Sequence, residues 1–164
     1  MNSKKTYFKF ESIDVYKKMI ELGNGISLNQ MCNITKLEPH TIQNWVKRGY
    51  IPHPINKKYY LKHLARTLLI SALKECMYLE DIESLMVYIN GDVDDESDDI
   101  IGEEDLYNLF TNLIEAIDDI NNIESIVDKK VKDRKLNVCM KAMTYAYYGS
   151  LMSKKSSEYL KLAK

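Results

Sequence analysis

Amide, hydroxyl and cationic side chains gather in one stretch of the chain, between residues 36 and 66. That stretch holds all three histidines and seven Lys or Arg residues, but a single acid, Glu38. Amide side chains pair in a bidentate way with adenine, and cationic side chains contact guanine or phosphates. The chemistry that these residue types favour is therefore recognition of duplex DNA.

The candidate contacts form two groups along the chain. The first lies on a predicted helix that begins near Pro39 and ends near Arg48, where its outward side chains would contact base edges in the major groove. The second is a short basic hairpin that would hold phosphates and set the register. The predicted DNA-binding residues are His40, Thr41, Gln43, Asn44, Lys47, Arg48, Lys57, Lys58 and Tyr59.

These assignments have plainer alternatives. Gln43 and Asn44 are also consistent with a solvated helix surface. Tyr59 is also consistent with an aromatic ring packed beneath the hairpin. Trp45 shares its predicted face with two aliphatic residues, which favours a core position over stacking on a base.

The histidines and cysteines do not form a recognisable catalytic or metal site. The histidines lack zinc-site spacing, and no cysteine pair accompanies them. The cysteines are widely separated and odd in number, which indicates free thiols rather than a disulfide framework. The chain has no Gly-x-Ser-x-Gly motif. We therefore expect no enzyme activity, no metal and no cofactor. The histidines in question are His40, His53 and His63, and the cysteines are Cys32, Cys76 and Cys139.

The two halves of the chain carry opposite charge. Residues 1–90 contain 13 Lys or Arg and 8 Asp or Glu, whereas residues 91–164 contain 10 and 16. From residue 92 to residue 128 there are fourteen acids and no Lys or Arg. An acidic surface repels a phosphate backbone, so we expect the acidic half to face away from DNA.

Hydrophobic periodicity predicts a mainly helical, all-α chain. Apolar residues recur at helical spacing from residue 61 to 77 and again from 79 to 89. A long apolar stripe from Leu106 to Val127 predicts one long helix, and a last helix is predicted from about Arg134. Between these parts, the acids lack the Gly and Glu positions of a calcium-binding loop, which favours a linker.

This pattern divides the chain into three parts. Residues 1–90 are predicted to form a DNA-binding domain with an N-terminal helix. Residues 91–102 form an acidic linker, and residues 103–164 a helical region for dimerisation or regulation. The first nine residues have no apolar signal-peptide core, and no apolar run is long enough to span a membrane. We therefore expect a cytoplasmic protein.

The order of these motifs resembles the MerR-type winged helix-turn-helix regulators, from Ser27 to about Asn90. The matching segments include Thr41-Ile42-Gln43-Asn44-Trp45, Gly49-Tyr50-Ile51-Pro52 and Lys57-Lys58-Tyr59. The resemblance is greater still to an uncharacterised family of small bacterial MerR-like proteins. Gln43 and Asn44 depart from the Arg and aromatic residue that are usual in MerR-type regulators, and the hairpin lacks the longer Gly-Tyr-Arg tip of those regulators.

The resemblance implies a winged helix-turn-helix domain followed by a C-terminal helical hairpin or bundle. It also implies a homodimer, because related regulators pair through C-terminal helices. The apolar stripe from Leu106 to Val127 must be covered, either by that second subunit or within the chain. A cluster of tyrosines at 145, 147 and 148 either packs or lines a pocket for a small-molecule effector of unknown identity.

The sequence thus predicts a DNA-binding transcriptional regulator with double-stranded DNA as its partner. Two other functions stay open. One is a protein–protein interaction module that binds no specific DNA sequence. The other is a helical protein that binds a small molecule.

Overall fold

The computed structural model describes residues 10–163, in which eight α-helices account for most of the chain. The β pairing in that range is limited to two isolated bridges. The all-α prediction is therefore confirmed. The helices are α1 (Asp14–Leu22), α2 (Leu28–Thr35), α3 (Pro39–Lys47), α4 (Leu61–Leu73), α5 (Leu79–Asn90), α6 (Glu103–Ala116), α7 (Ile123–Lys130) and α8 (Arg134–Leu162).

Helix α4 is the centre of the molecule. It packs against α1, α2, α5, α6 and α8, and its contact with α6 is the most extensive. Because neighbours surround it on several sides, even its polar residues His63, Arg66 and Thr67 are buried. The helices before and after the acidic segment therefore share one hydrophobic core through α4.

The single long helix predicted from residue 103 to 127 is wrong. Helix α6 ends at Ala116, Ile117 is extended, and a 3₁₀ turn follows at Ile120–Asn122. The carboxylate of Asp119 accepts a hydrogen bond from the Asn121 N–H at 2.9 Å, an Asx-type turn that competes with helix continuation. The apolar period continues across the break because both helices face the same core.

The apolar stripe from Leu106 to Val127 is covered within the chain. Leu106, Phe110, Leu113, Ile123 and Val127 are all fully buried. They lie on α6 and α7, which pack against α4 and α8. For these five residues, the cover comes from within the chain and not from a second subunit.

Two of the three tyrosines in the cluster are held in the packing between α6 and α8. Tyr147 is buried against the ring of Phe110 in an edge-on contact. The Tyr148 hydroxyl donates to the carbonyl oxygens of Ile114 and Ile117 at 3.1 and 2.8 Å, near the end of α6. Tyr145 lies on another face of α8 and is 42% exposed.

The segment between α5 and α6 is held against its neighbours. The buried side chain of Asn90 accepts from the Ile100 N–H and donates to the Ile101 carbonyl oxygen. The division into residues 1–90, 91–102 and 103–164 stays a prediction about domains. Across residues 10–163, no helix is both long enough and apolar enough to cross a membrane. Residues 1–9, on which the predicted localisation relied, lie outside the described range.

Candidate nucleic-acid interface

Helices α2 and α3 are joined by a turn at residues 36–38. The Ser27 hydroxyl accepts from the Gln30 N–H, and the Gln30 side chain accepts from the Ser27 N–H, which starts α2 with a capping box. Lys36 ends α2 in the left-handed conformation, with φ of 60°. Pro39 is the first residue of α3. An N–H at that position would have no partner within the helix, so the missing N–H of proline costs nothing there.

One face of α3 belongs to the core. Ile42 is fully buried, and Trp45 and Val46 are 3% and 9% exposed. The ring of Trp45 therefore packs inside the fold, and the alternative of base stacking is wrong. Gly49, with φ of 78°, turns the chain after the helix, as its position in the sequence predicted.

The opposite face of α3 is exposed and polar. His40, Gln43, Asn44 and Lys47 recur at intervals of three, four and seven residues, so their side chains line one side of the helix. Within residues 10–163, none of these four side chains forms a hydrogen bond or an ion pair. Thr41 lies beside this face and is half-buried. The helix thus offers amide, imidazole and ammonium groups whose bonding capacity is unused.

A tight hairpin follows α3. Ile55 pairs with Lys58, and Asn56 and Lys57 between them have φ of 49° and 62°, the signature of a type I′ turn. Tyr59 pairs with Ile26, which ties the hairpin to the start of α2. We call residues 55–58 the hairpin.

The hairpin presents its lysines unequally. Lys57 is exposed at the tip, whereas Lys58 is half-buried. Tyr59 is only 5% exposed, because its ring packs edge-on against the ring of His63 beneath the hairpin. The burial of Tyr59 contradicts its predicted role on phosphate and supports the packing alternative.

Arg48 is already paired. Its guanidinium lies 2.8 Å from a carboxylate oxygen of Glu80 on α5 and 4.8 Å from the centre of the Tyr50 ring. The N–H of Glu80 itself, followed by the guanidinium of Arg48, lowers the pKa of the Glu80 carboxyl. A phosphate would have to compete with Glu80 for Arg48, so a phosphate contact by Arg48 would be weaker than one by an unpaired cation.

The acidic segment lies next to the basic stretch and not far from it. Asp94 accepts hydrogen bonds from the backbone N–H and the Nδ1 of His53, both at 2.8 Å. Glu96 pairs with Lys62 at the start of α4. Partial burial acts to raise the pKa of Asp94, but the bonds from His53 outweigh it and the pKa is lowered. The acidic half of the chain was expected to face away from the DNA-binding surface. That expectation does not hold for Asp94 and Glu96, which contact the basic stretch.

A buried ion pair supports the segment between α3 and the hairpin. Arg66 on α4 is 2% exposed, and its Nε donates to the carbonyl oxygen of Tyr50 at 2.7 Å. Its terminal nitrogen pairs with Glu103 at the start of α6. Desolvation, the largest influence, raises the pKa of Glu103, against the opposing effect of Arg66. Sequence reasoning missed this pair, because the partners are 37 residues apart.

Cations and anions are therefore interleaved around α3. Lys36, Lys47 and Lys57 are exposed, and Lys36 is a further candidate that the sequence analysis did not select. Its position in the turn directly before α3 was the available signal. Among residues 10–163, no group of three or more His, Cys, Asp or Glu side chains is placed to hold a metal ion.

Comparison with known proteins identifies one family. Residues 8–110 match the model of a domain of unknown function, DUF1836. The chain is 32% identical over 104 residues to an uncharacterised protein, YkrK, of Bacillus subtilis (strain 168). That alignment spans 61% of this chain and 42% of the relative, so the chain spans less than half of the relative's length. No solved structure matches.

The resemblance to MerR-type regulators is wrong. The matching family model is that of DUF1836, and the curated relative is uncharacterised. Neither the family nor the relative is described as a MerR-type regulator. Properties that rested on that resemblance alone, including a homodimer formed through C-terminal helices, therefore need support from this chain's own residues.

Proposed function

We propose that this chain, which belongs to the DUF1836 family, is a cytoplasmic transcriptional regulator that binds duplex DNA. Helices α2 and α3 would act as a helix-turn-helix, and the hairpin as a short wing. The observation that carries this proposal is the exposed face of α3, where four polar side chains have no partner in the described chain. A polar helix face with unused donors and acceptors suits the edges of bases.

The proposed contacts follow from the position of each side chain. Gln43 and Asn44 lie mid-helix, and an amide can accept from and donate to adenine at once. Lys47, one turn further, reaches guanine or a phosphate. His40 and Thr41 lie near the N-terminus of α3, the end that enters the major groove in helix-turn-helix proteins.

The hairpin would bind the sugar–phosphate backbone. Lys57 is at its tip, and the type I′ turn and the pairing of Tyr59 with Ile26 fix its position relative to α2. A Lys contact with phosphate adds affinity for every sequence and releases a counterion. The hairpin would therefore supply affinity and α3 would supply preference.

A fluorescence anisotropy titration with a labelled duplex tests the proposal. The wild-type chain should bind at low salt and release the duplex as salt rises. Lys47→Glu should weaken binding, because it places an anion on the face of α3. Lys130→Glu is the matched control, since Lys130 is also an exposed lysine in the last turn of a short helix. Equal binding by wild type and Lys47→Glu would contradict the proposal.

The alternative function, a protein–protein interaction module, is favoured by one observation. Acidic side chains pair with cations beside the proposed interface, in the pairs Arg48–Glu80 and Lys62–Glu96. Such pairs reduce the positive field that DNA binding uses. A protein that copurifies with the chain, together with no affinity for duplex DNA at low salt, would select this alternative.

A further inference from the structure

The last helix carries a strip of large side chains that stay exposed in the described chain. Only their edges are touched: the Tyr145 hydroxyl lies 3.4 Å from a Glu124 carboxylate oxygen, and the Lys155 ammonium lies 5.3 Å from the centre of the Tyr159 ring. Four large side chains on α8 are between 42% and 64% exposed, and they recur at intervals of exactly seven residues. Seven residues are nearly two helical turns, so these side chains lie on one line along the helix. They are Val138, Tyr145, Met152 and Tyr159.

A second series of residues alternates with the first. Ala142, Gly149, Ser156 and Ala163 each follow a large residue by four positions, and the first three precede the next large residue by three. This spacing of four and three is the heptad spacing of a coiled-coil seam. All four residues are small, and Ala142 alone is half-buried while the others are exposed. We call these eight residues the seam.

The seam faces away from the core. The buried residues of α8, which include Met140, Met143 and Tyr147, occupy other positions of the heptad. Apart from the adjacent residues and the backbone of α8 itself, no described atom lies within 4 Å of the place that a Cβ on Gly149 would take. A glycine inside a helix costs about 0.5–1 kcal/mol relative to alanine, so its use on an open helix face calls for a reason such as close approach of another backbone.

We propose that the seam binds a second copy of α8 in antiparallel orientation and makes the protein a homodimer. The alternation of large and small residues carries the argument. In a parallel pair, equivalent positions meet, so Tyr145 would oppose the partner's Tyr145 and Gly149 the partner's Gly149. In such a pair, layers with two large side chains are too crowded, and layers with two small side chains leave voids. Both lower the stability of the pair.

In an antiparallel pair, one alignment of the two helices places a large side chain opposite a small one in every layer. Met152 packs against the partner's Gly149, Tyr145 against the partner's Ser156, and Tyr159 against the partner's Ala142. Val138 packs against the partner's Ala163 in the outermost layer. The two-fold axis passes between residues 150 and 151. A surface that complements itself about a two-fold axis is what an isologous dimer requires.

The flanks of the seam are compatible with the same register. Lys155 would lie across from the partner's Tyr148, and Lys141 across from the partner's Leu162, so no two like charges meet. Leu160 and Leu162 are 61% and 83% exposed and border the seam near its end, where a partner would cover them. From Val138 to Ala163 the seam extends for about 38 Å, at about 1.5 Å per residue.

Sedimentation equilibrium of the full chain tests the dimer without any DNA, so its outcome is independent of the proposed function. The wild type should sediment as a dimer. Met152→Glu and Gly149→Gln should each sediment as monomers, since one adds a charge and the other fills the partner's space. Ser157→Glu, which adds the same charge on another side of the exposed helix, should remain dimeric. Far-UV circular dichroism should show that all variants stay helical.

Cysteine cross-linking tests the register. A mixture of Gly149→Cys and Met152→Cys chains should form a disulfide-linked dimer on mild oxidation, well above the level that the native cysteines give in the wild type. Met152→Cys alone should not, because its partner position is Gly149. A monomeric wild type, dimeric Met152→Glu and Gly149→Gln variants, or efficient cross-linking of Met152→Cys alone would each overturn the proposal.

Discussion

The Nε2 of His63 lies 3.0 Å from the carbonyl oxygen of His53, across the base of the hairpin. Its Nδ1 accepts from the N–H of Tyr60 at 2.9 Å, so Nε2 must carry the proton and donate it. The ring is fully buried, and desolvation lowers its pKa. One neutral imidazole on α4 therefore joins the backbone on the two sides of the hairpin, at His53 and at Tyr60.

This arrangement predicts that acid destabilises the protein through His63. Because its folded-state pKa is lowered, the unfolded chain binds the proton first. The stabilisation that neutral His63 gives the folded state is complete above the ordinary histidine pKa of about 6.5. It is lost as the pH falls from there through the lower folded-state pKa. Chemical denaturation at a series of pH values should show a smaller loss for His63→Gln, whose amide can keep both hydrogen bonds.

Gln43→Ala is the control for this measurement, because Gln43 is exposed on α3 and carries no titrating group. It should retain the wild-type dependence of unfolding free energy on pH. An equal loss for His63→Gln and wild type would show that the buried ring does not stay neutral in the folded state.

Reversal of charge in the hairpin should weaken DNA binding for all sequences alike. In the variant Lys57→Asp/Lys58→Glu, aspartate tolerates the positive φ at position 57, so the turn should survive. We expect the slope of log affinity against log salt to become shallower by about 2 units, one for each lost phosphate contact. Lys129→Glu/Lys130→Glu, at the end of α7, is the control, and an unchanged slope in the hairpin variant would exclude the wing.

Substitution of Gln43 should change which sequence is preferred. Gln43→Ala removes an amide that would contact adenine, at an expected cost of about 1–3 kcal/mol for the preferred duplex and little for unrelated duplexes. Competition binding with duplexes that differ at one base pair measures this difference. Ser84→Ala on α5, another exposed polar residue, should leave the preference unaltered. A uniform loss of affinity would assign Gln43 to a non-specific contact.

Removal of Arg66 should destabilise the fold more than removal of the whole ion pair. Arg66→Met leaves Glu103 buried without a partner, and we expect the unfolding free energy to fall by about 3–5 kcal/mol. Arg66→Met/Glu103→Leu replaces both charges with apolar groups and should recover part of that loss. A double-mutant cycle, measured by thermal and chemical denaturation, gives the coupling free energy between positions 66 and 103. A coupling of zero would show that the two residues stabilise the fold independently.

Much of the local structure could be predicted from the sequence. Ser27, Pro39 and Gly49 act on residues next to them, through capping, helix initiation and positive φ, so the ends of α2 and α3 followed from residue type. The two faces of α3 followed from the 3.6-residue period, which also identified Trp45 as a core residue. The helix break after Ala116 was missed because the apolar period continues through it.

The contacts between distant segments could not be predicted in the same way. Asp94 and His53 are 41 residues apart, and no local pattern encodes their pairing. Charge counts along the chain indicated that the acidic segment would avoid the basic stretch. In the fold, the segment after α5 reaches His53 and Lys62 through Asp94 and Glu96, and opposite charges attract at short range. The same limitation applies to Arg48 and Tyr59, whose partners come from α5 and α4.

Selection of bound duplexes from a random DNA library, with purified full chain and at two salt concentrations, tests whether this protein binds specific DNA sequences. We predict an enriched motif, and for the antiparallel dimer, inverted half-sites whose spacing matches the distance between the two α3 helices. Wild type and Lys47→Glu should differ in enrichment. No enrichment at either salt concentration would contradict DNA binding and leave the protein–protein interaction module as the function to test.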